Sequence, residues 1–236
     1  MDPLASGLLI IFFNKATKLC SYFLDADKSY EAVARLGETS TTADLDGEIL
    51  SSNDVPNLNE LDINMLEKKY TGVISQTPPM YSALKHKGVR LYKYAREGIN
   101  IDRPSRDIEI YSIKMNIIDD NHMFIKVRCS KGTYIRTLVE QIGLDIGCGA
   151  LVSKLTRTDI NDINISKSVS LEDFLSSSEQ DIYKKYIING DLLLSNTDTC
   201  FLSDLDKHLV LKGNKVKIKS KSCLLYTSDA ADDGLS

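Results

Sequence analysis

Few side chains in this sequence are placed to do chemistry by themselves. His86 and His122 have no Cys, His or carboxylate partner at metal-ligand spacing, so neither is read as a ligand. The five cysteines, Cys20, Cys129, Cys148, Cys200 and Cys223, are odd in number and contain no C-x-x-C pair, which argues against a zinc site and a disulfide framework alike. One carboxylate, Asp2, stands directly before Pro3, and an aspartate there is an ordinary turn starter. What clusters is positive charge. The net charge of −4 weighs mildly against a nucleic-acid partner. Yet eleven acidic residues face two basic ones between Asp25 and Glu67, whereas seven Lys or Arg accompany two acids between Met80 and Arg106. Lys126, Arg128, Lys131 and Arg136 follow with no acid among them. A fold that brings these two basic segments onto one face would offer a surface for a polyanion, and a solvated charged face is the plainer alternative.

Several elements must position these residues. Ala16, Leu19, Cys20, Phe23 and Leu24 recur at helical spacing until Asp25, which predicts a short amphipathic helix. Tyr30, Ala32, Ala34 and Leu36 alternate with Glu31 and Arg35 in the manner of a half-buried strand. Residues 57–70 are predicted helical with a stop at Gly72, and Gln76-Thr77-Pro78-Pro79 is expected to begin an exposed loop. Residues 91–97 predict a short helix that turns Lys93 and Arg96 outward. Ile108 to Ile117 and Met123 to Cys129, joined by Asp119, Asp120 and Asn121, predict an antiparallel hairpin. Ile135, Leu138, Val139, Ile142 and Ile146 then follow a helical series that packs on that sheet and closes at Gly147. A strand from Leu151 to Thr156 and a helix from Leu171 complete an α+β fold: a mixed, mainly antiparallel sheet flanked by helices. From about Ser195 the chain turns to short β-like runs such as His208 to Lys219, the expected start of a small second domain.

The 236 residues, 42% apolar and 26% charged, have ordinary globular composition and length enough for a sizeable core. The longest apolar run, Leu8 to Phe13, is far short of a membrane span, and no secretory signal is visible, so no membrane role and a cytoplasmic location are expected.

Ordered blocks add a resemblance. Asp2-Pro3-Leu4-Ala5-Ser6-Gly7 resembles the catalytic loop of the TruB family of tRNA pseudouridine synthases, matched from its Asp onward. Ala16-Thr17-Lys18-Leu19, then Lys28-Ser29-Tyr30 with Leu36-Gly37, and the Thr/Asp/Gly-rich stretch Thr39 to Gly47 are similar to the blocks that follow it in that family. Gln76 to Lys85 (Q-T-P-P-M-Y-S-A-L-K), Cys129 to Thr137 (C-S-K-G-T-Y-I-R-T), Gly147 to Ala150 and Leu155-Thr156-Arg157 complete the series over residues 2 to about 175.

The resemblance implies a sheet of the pseudouridine synthase type over residues 1–190 and the beginning of a small β-rich PUA-like RNA-binding domain over 195–222. The remaining stretch, 223–236, fits nothing before it and is read as a non-native tail. The implied reaction breaks the glycosidic bond of a uridine in the T-loop of tRNA, turns the base and rejoins it through carbon, without metal or redox cofactor. Asp2 is implied as the nucleophilic or charge-stabilising carboxylate, Arg136 as the arginine paired with it, and Tyr30 as the residue that stacks on the flipped base and shares in the late proton transfer. Tyr134 and Leu155 match positions lining that pocket, and Lys18 matches a phosphate contact. The partner implied is the tRNA T-arm, with the enzyme a monomer. Two alternatives stay open: a guide-RNA-dependent pseudouridine synthase, and a non-catalytic tRNA-folding or RNA-binding module using the same basic face. The family's Gly-His-x-Gly approach to the loop is missing here, so the chain is expected to be cut short at both ends. Met1 is then an internal residue promoted to a start, and low activity is expected of the fragment.

Overall fold

The computed structural model describes residues 2–188 and 202–216. They fall into two compact units, one built from the leading residues to Ile10 with Ser21–Ser168, the other from Ile11–Cys20 with the described residues from Val169 onward. In chain order the first part of the structure runs β1 (Ala5–Gly7), α1 (Cys20–Asp25), β2 (Lys28–Leu36), β3 (Glu38–Ser40), β4 (Ile49–Ser52), α2 (Glu60–Lys69), β5 (Gly72–Gln76), β6 (Lys85–His86), β7 (Val89–Arg90) and α3 (Leu91–Arg96). It continues with β8 (Arg106–Asp119), β9 (His122–Cys129), α4 (Ile135–Ile146), β10 (Ala150–Ile160) and β11 (Ile163–Asn164). A seven-stranded sheet takes the order β1-β10-β2-β9-β8-β5, with β11 beside β10. The β1–β10 pair is parallel and the other pairs are antiparallel.

Alternation explains the sheet's buried face. Ala32, Ala34 and Leu36 from β2 and Met123, Ile125, Val127 and Cys129 from β9 are buried, and the residues between them are not. In β8 the buried series is Ile108, Ile110, then Ile113 and Met115, because a bulge between Ile110 and Ser112 shifts the alternation by one residue. Helix α4 packs on β10 and β2, and α2 packs on β8. Ile135, Leu138, Val139 and Ile142 of α4 are buried, each contributing roughly 1.5–3 kcal/mol. Approach to β10 is close enough that a Cβ on Gly143 would lie 2.2 Å from the Ala150 nitrogen, so this helix position admits only glycine. Helix α2 opens with a capping box in which Asn59 accepts from Leu61 and Asp62 and the Asp62 carboxylate accepts from the Asn59 N–H.

Three local expectations are corrected. Gly72–Gln76 is an edge strand paired with β8, and Gln76, expected to open an exposed loop, is 1% exposed. The second basic segment is not a bare cationic face: Lys126 pairs with Glu31 at 3.2 Å, Arg128 with Asp27 at 3.5 Å and Lys131 with Asp25 at 3.0 Å. His208 to Leu211, read as β-like, is helical. The other unit holds a 3-10 helix, Asn14–Leu19, and the helices α5 (Leu171–Ser176), α6 (Glu179–Lys185) and α7 (Asp204–Leu211). Each of these three starts at a serine whose hydroxyl accepts from an aspartate N–H three residues on. The tail 223–236 and the parts 195–201 and 217–222 of the expected second domain lie outside the described residues. Among the described residues no helix is long and apolar enough to cross a membrane.

Candidate active site

The Asp-Pro pair does start a turn. The Ala5 N–H donates to the Asp2 carbonyl at 3.0 Å, with Pro3 in the second position, where its fixed φ suits a β-turn. Beyond the turn, β1 lies parallel to β10 with Ala5 opposite Leu155 and Gly7 opposite Arg157. Gly7 has φ +102°, and a Cβ there would lie 2.3 Å from the Arg157 carbonyl oxygen. Only glycine meets both conditions. Turn and strand together fix where the Asp2 carboxylate stands.

Arg136, one residue into α4, meets that carboxylate. It is 4% exposed, its Nε donates to Asp2 Oδ2 at 2.8 Å, its Nη1 to the Thr42 carbonyl at 2.8 Å and its Nη2 to the Tyr81 carbonyl at 2.8 Å. Nη1 also lies 3.3 Å from Asp44 Oδ2. The guanidinium thus joins three segments far apart in sequence, its planar fork satisfied on every side. Asp44 is 3% exposed and held by its own loop: its N–H donates to Ser40 Oγ, the Ser40 hydroxyl donates to its carbonyl, and the Thr42 hydroxyl and the Asp46 N–H donate to Oδ1. A buried carboxylate is tolerated because cation and hydrogen bonds surround it. Asp2, by contrast, keeps 33% of its side chain exposed, and among the described residues Oδ1 accepts no hydrogen bond.

Tyr30 stands on β2, directly opposite Arg157 of β10. Burial pushes its phenol above the ordinary range, the Cys129 and Asp2 charges add to that, and Arg157 opposes it. It is therefore a neutral phenol at physiological pH. Tyr134 precedes α4 as its N-cap residue, and the Gln76 side chain clamps its backbone: Tyr134 N–H donates to Oε1 at 2.8 Å and Nε2 donates to the Tyr134 carbonyl at 3.1 Å. The Arg106 guanidinium lies over the Tyr134 ring, 5.4 Å from its centroid. Leu155 is buried in the core cluster against which Leu4, Ala5 and Tyr30 pack.

The structure therefore brings Asp2 and Arg136 into contact, puts Tyr30 within electrostatic reach of Asp2, and sets Tyr134 and Leu155 on the elements that carry them. Lys18 is exposed in the 3-10 helix Asn14–Leu19 and belongs to the other unit. Sequence reading missed Asp44, Gln76 and the carbonyl of Tyr81 as parts of the site. For Asp44 and Gln76 the signal was present in the T-S-T-T-A-D-L-D-G and Q-T-P-P blocks, without anything to say which side chains turn inward. Two open clefts lie elsewhere. One, of about 620 Å³, runs between Val73 and Lys131, the other, of about 410 Å³, between α2 and the end of α4, and neither is lined by Asp2 or Arg136. Among the described residues no group of three or more His, Cys, Asp or Glu has metal-site geometry.

Residues 1–135 match the family described as TruB family pseudouridylate synthase, N-terminal domain, and residues 136–195 match the tRNA pseudouridylate synthase B C-terminal domain. The chain is 45% identical to tRNA pseudouridine synthase B of Nitrosococcus oceani over 77% of its own length and 59% of the relative's. It is 45% identical to that of Clostridium acetobutylicum over 92% of the chain and 73% of the relative. It thus spans about three fifths of the length of the first of these relatives and under three quarters of the second. Among solved structures, a Cbf5-Nop10-Gar1 complex contains a chain that matches with TM-score 0.55 and 26% identity, over 78% of this chain and 45% of that one. With the family's N-terminal domain matched over residues 1–135 and a relative 45% identical over 92% of the chain, the chain belongs to the TruB family of pseudouridylate synthases.

Proposed function

We propose that this site isomerises a uridine in the T-loop of tRNA to pseudouridine. The observation that carries the reading is the Asp2 carboxylate held through Oδ2 by buried Arg136 while Oδ1 stays open. An oxygen so presented is suited to attack the sugar or base, or to stabilise positive charge as the glycosidic carbon–nitrogen bond breaks. The base then turns and a carbon–carbon bond forms; the proton lost from that carbon ends on the freed nitrogen, so atoms balance without a co-reactant. Tyr30, a neutral phenol, stacks on the base and serves the late proton transfer, Tyr134 and Leu155 line the pocket, and Lys18 contacts phosphate. Lys85, Lys87, Arg90, Lys93 and Arg96, exposed on the β6–β7 hairpin and α3 and without an ion pair among the described residues, supply the phosphate-binding surface. The names of relatives at 45% identity support tRNA over a guide-dependent substrate.

In the same reading, residues 1–190 are the catalytic domain, 195–222 begin a PUA-like domain, and the protein acts as a cytoplasmic monomer. The test uses the full reading frame from the source genome. Incubated with unmodified tRNA transcript, it is expected to place pseudouridine at one T-loop uridine, and Asp2→Ala to abolish that while leaving RNA affinity within about threefold. Absence of pseudouridine with the unaltered protein would sink the proposal.

A further inference from the structure

Arg157 ties the strand that follows Asp2 to the strand that carries Tyr30. Its Nε and Nη2 both donate to the Leu8 carbonyl, at 2.8 and 2.7 Å, and the Leu8 N–H donates back to the Arg157 carbonyl at 2.8 Å. Gly7, its register partner on β1, has no room for a side chain beside the Arg157 backbone. On the other side Arg157 is the direct partner of Tyr30 in the antiparallel β10–β2 ladder, so the two side chains share a face a few ångströms apart. β1 makes only three register contacts with β10. Beside the backbone bond and the Ser6 hydroxyl contacts to Leu155 and Thr156, the guanidinium adds two side-chain bonds to the end of the Asp2 segment.

We propose that Arg157 is a positioning residue that locks the Asp2 segment onto β10 and lays its positive charge beside the Tyr30 phenol, so that carboxylate and phenol are presented as one unit. This rests on the isomerase reading. The groups acting on the Tyr30 phenol are Arg157 on β10, Cys129 on β9 and Asp2 in the turn, and Arg157 is the cation among them.

The test has one readout that needs no turnover. In the full-length protein labelled with [13Cζ]tyrosine, the Tyr30 resonance is assigned by its loss in Tyr30→Phe and followed against pH. Arg157→Gln is expected to raise the pH at which Tyr30 ionises by about one unit, and Arg157→Lys to leave it within a few tenths, because the charge remains. In single-turnover conversion of tRNA, Arg157→Gln is expected to slow the reaction roughly tenfold to a hundredfold with RNA affinity unchanged, and Arg157→Lys to recover most of the rate. An unmoved Tyr30 titration in Arg157→Gln overturns the inference, as does an equal loss of rate in both variants that follows their loss of thermal stability. A shifted titration in a protein that makes no pseudouridine leaves Arg157 in place and removes the isomerase reading instead.

Discussion

The two halves of the ion pair are held in different ways. Arg136 stands in the first turn of a helix whose inner face is buried, and its guanidinium is satisfied by Asp2, Asp44 and the carbonyls of Thr42 and Tyr81. Asp2 stands in a four-residue turn before a strand of three residues, and a third of its side chain meets solvent. The cation is part of the core, while the carboxylate is delivered to it by a short edge strand. Rigidity is concentrated on the cation, and accessibility on the carboxylate that in the proposed function reaches the substrate.

The sharpest way to break this contrast is to remove the core side. Arg136→Met leaves Asp44 buried without its cation and is expected to cost on the order of 3–5 kcal/mol, measured by urea unfolding, together with all turnover. Arg136→Lys, which cannot reach Asp2 and both carbonyls at once, is expected to keep more of the stability and little of the activity. A smaller effect is expected on the delivery side. Gly7→Ala forces a Cβ against the Arg157 carbonyl and strains a positive φ, at a cost of roughly 1–3 kcal/mol confined to β1. Hydrogen exchange should then show faster opening of Ser6–Leu8 with α4 unchanged, and turnover should fall more than global stability. Equal losses in both would erase the distinction between the halves.

The mildest prediction concerns the other end of the sheet. Glu67 of α2 accepts the Met115 N–H through Oε1 and the Lys114 ammonium through Oε2, each at 2.7 Å. Burial pushes this carboxyl up, and the two hydrogen bonds more than offset it, leaving it below its ordinary value of 4.5. A depressed folded-state value means that the clamp stabilises fully above pH 4.5 and is lost as pH falls through the folded value. Glu67→Gln is expected to flatten that acid limb of the stability curve, read by thermal unfolding, without altering turnover at neutral pH.

Periodic elements were legible from sequence because their burial is one-sided. Ile135 to Ile146 was read to the residue, and the β8–β9 hairpin nearly so, since apolar alternation and the Asp119-Asp120-Asn121 turn agree. What failed was short or locally ambiguous. The strand Gly72–Gln76 is brief and runs into prolines, and Gln76 is buried by bonds to Tyr134, a partner 58 positions away. His208 to Leu211 is a short apolar run that periodicity cannot assign, although Ser203 with Asp206 carries the signature of a helix start. In the site, the Asp2–Arg136 pairing came from resemblance and the structure places the two in contact. Asp44 was not singled out because Asp44-Leu45-Asp46 looks like a solvated turn. Its selection depends on a parallel bridge to Val152, which no local pattern contains.

The ion pairs of Lys126, Arg128 and Lys131 with Glu31, Asp27 and Asp25 bear on how the protein would meet a nucleic acid. A cation already matched by a carboxylate is poorly placed to neutralise a phosphate and release its condensed counterions, because the phosphate must first displace Glu31, Asp27 or Asp25. RNA binding releases roughly 0.7–0.9 of a counterion per phosphate neutralised. In the proposed function Lys126, Arg128 and Lys131 therefore add little to that release, and the exposed cations between Lys85 and Arg96 are expected to carry more of the salt dependence.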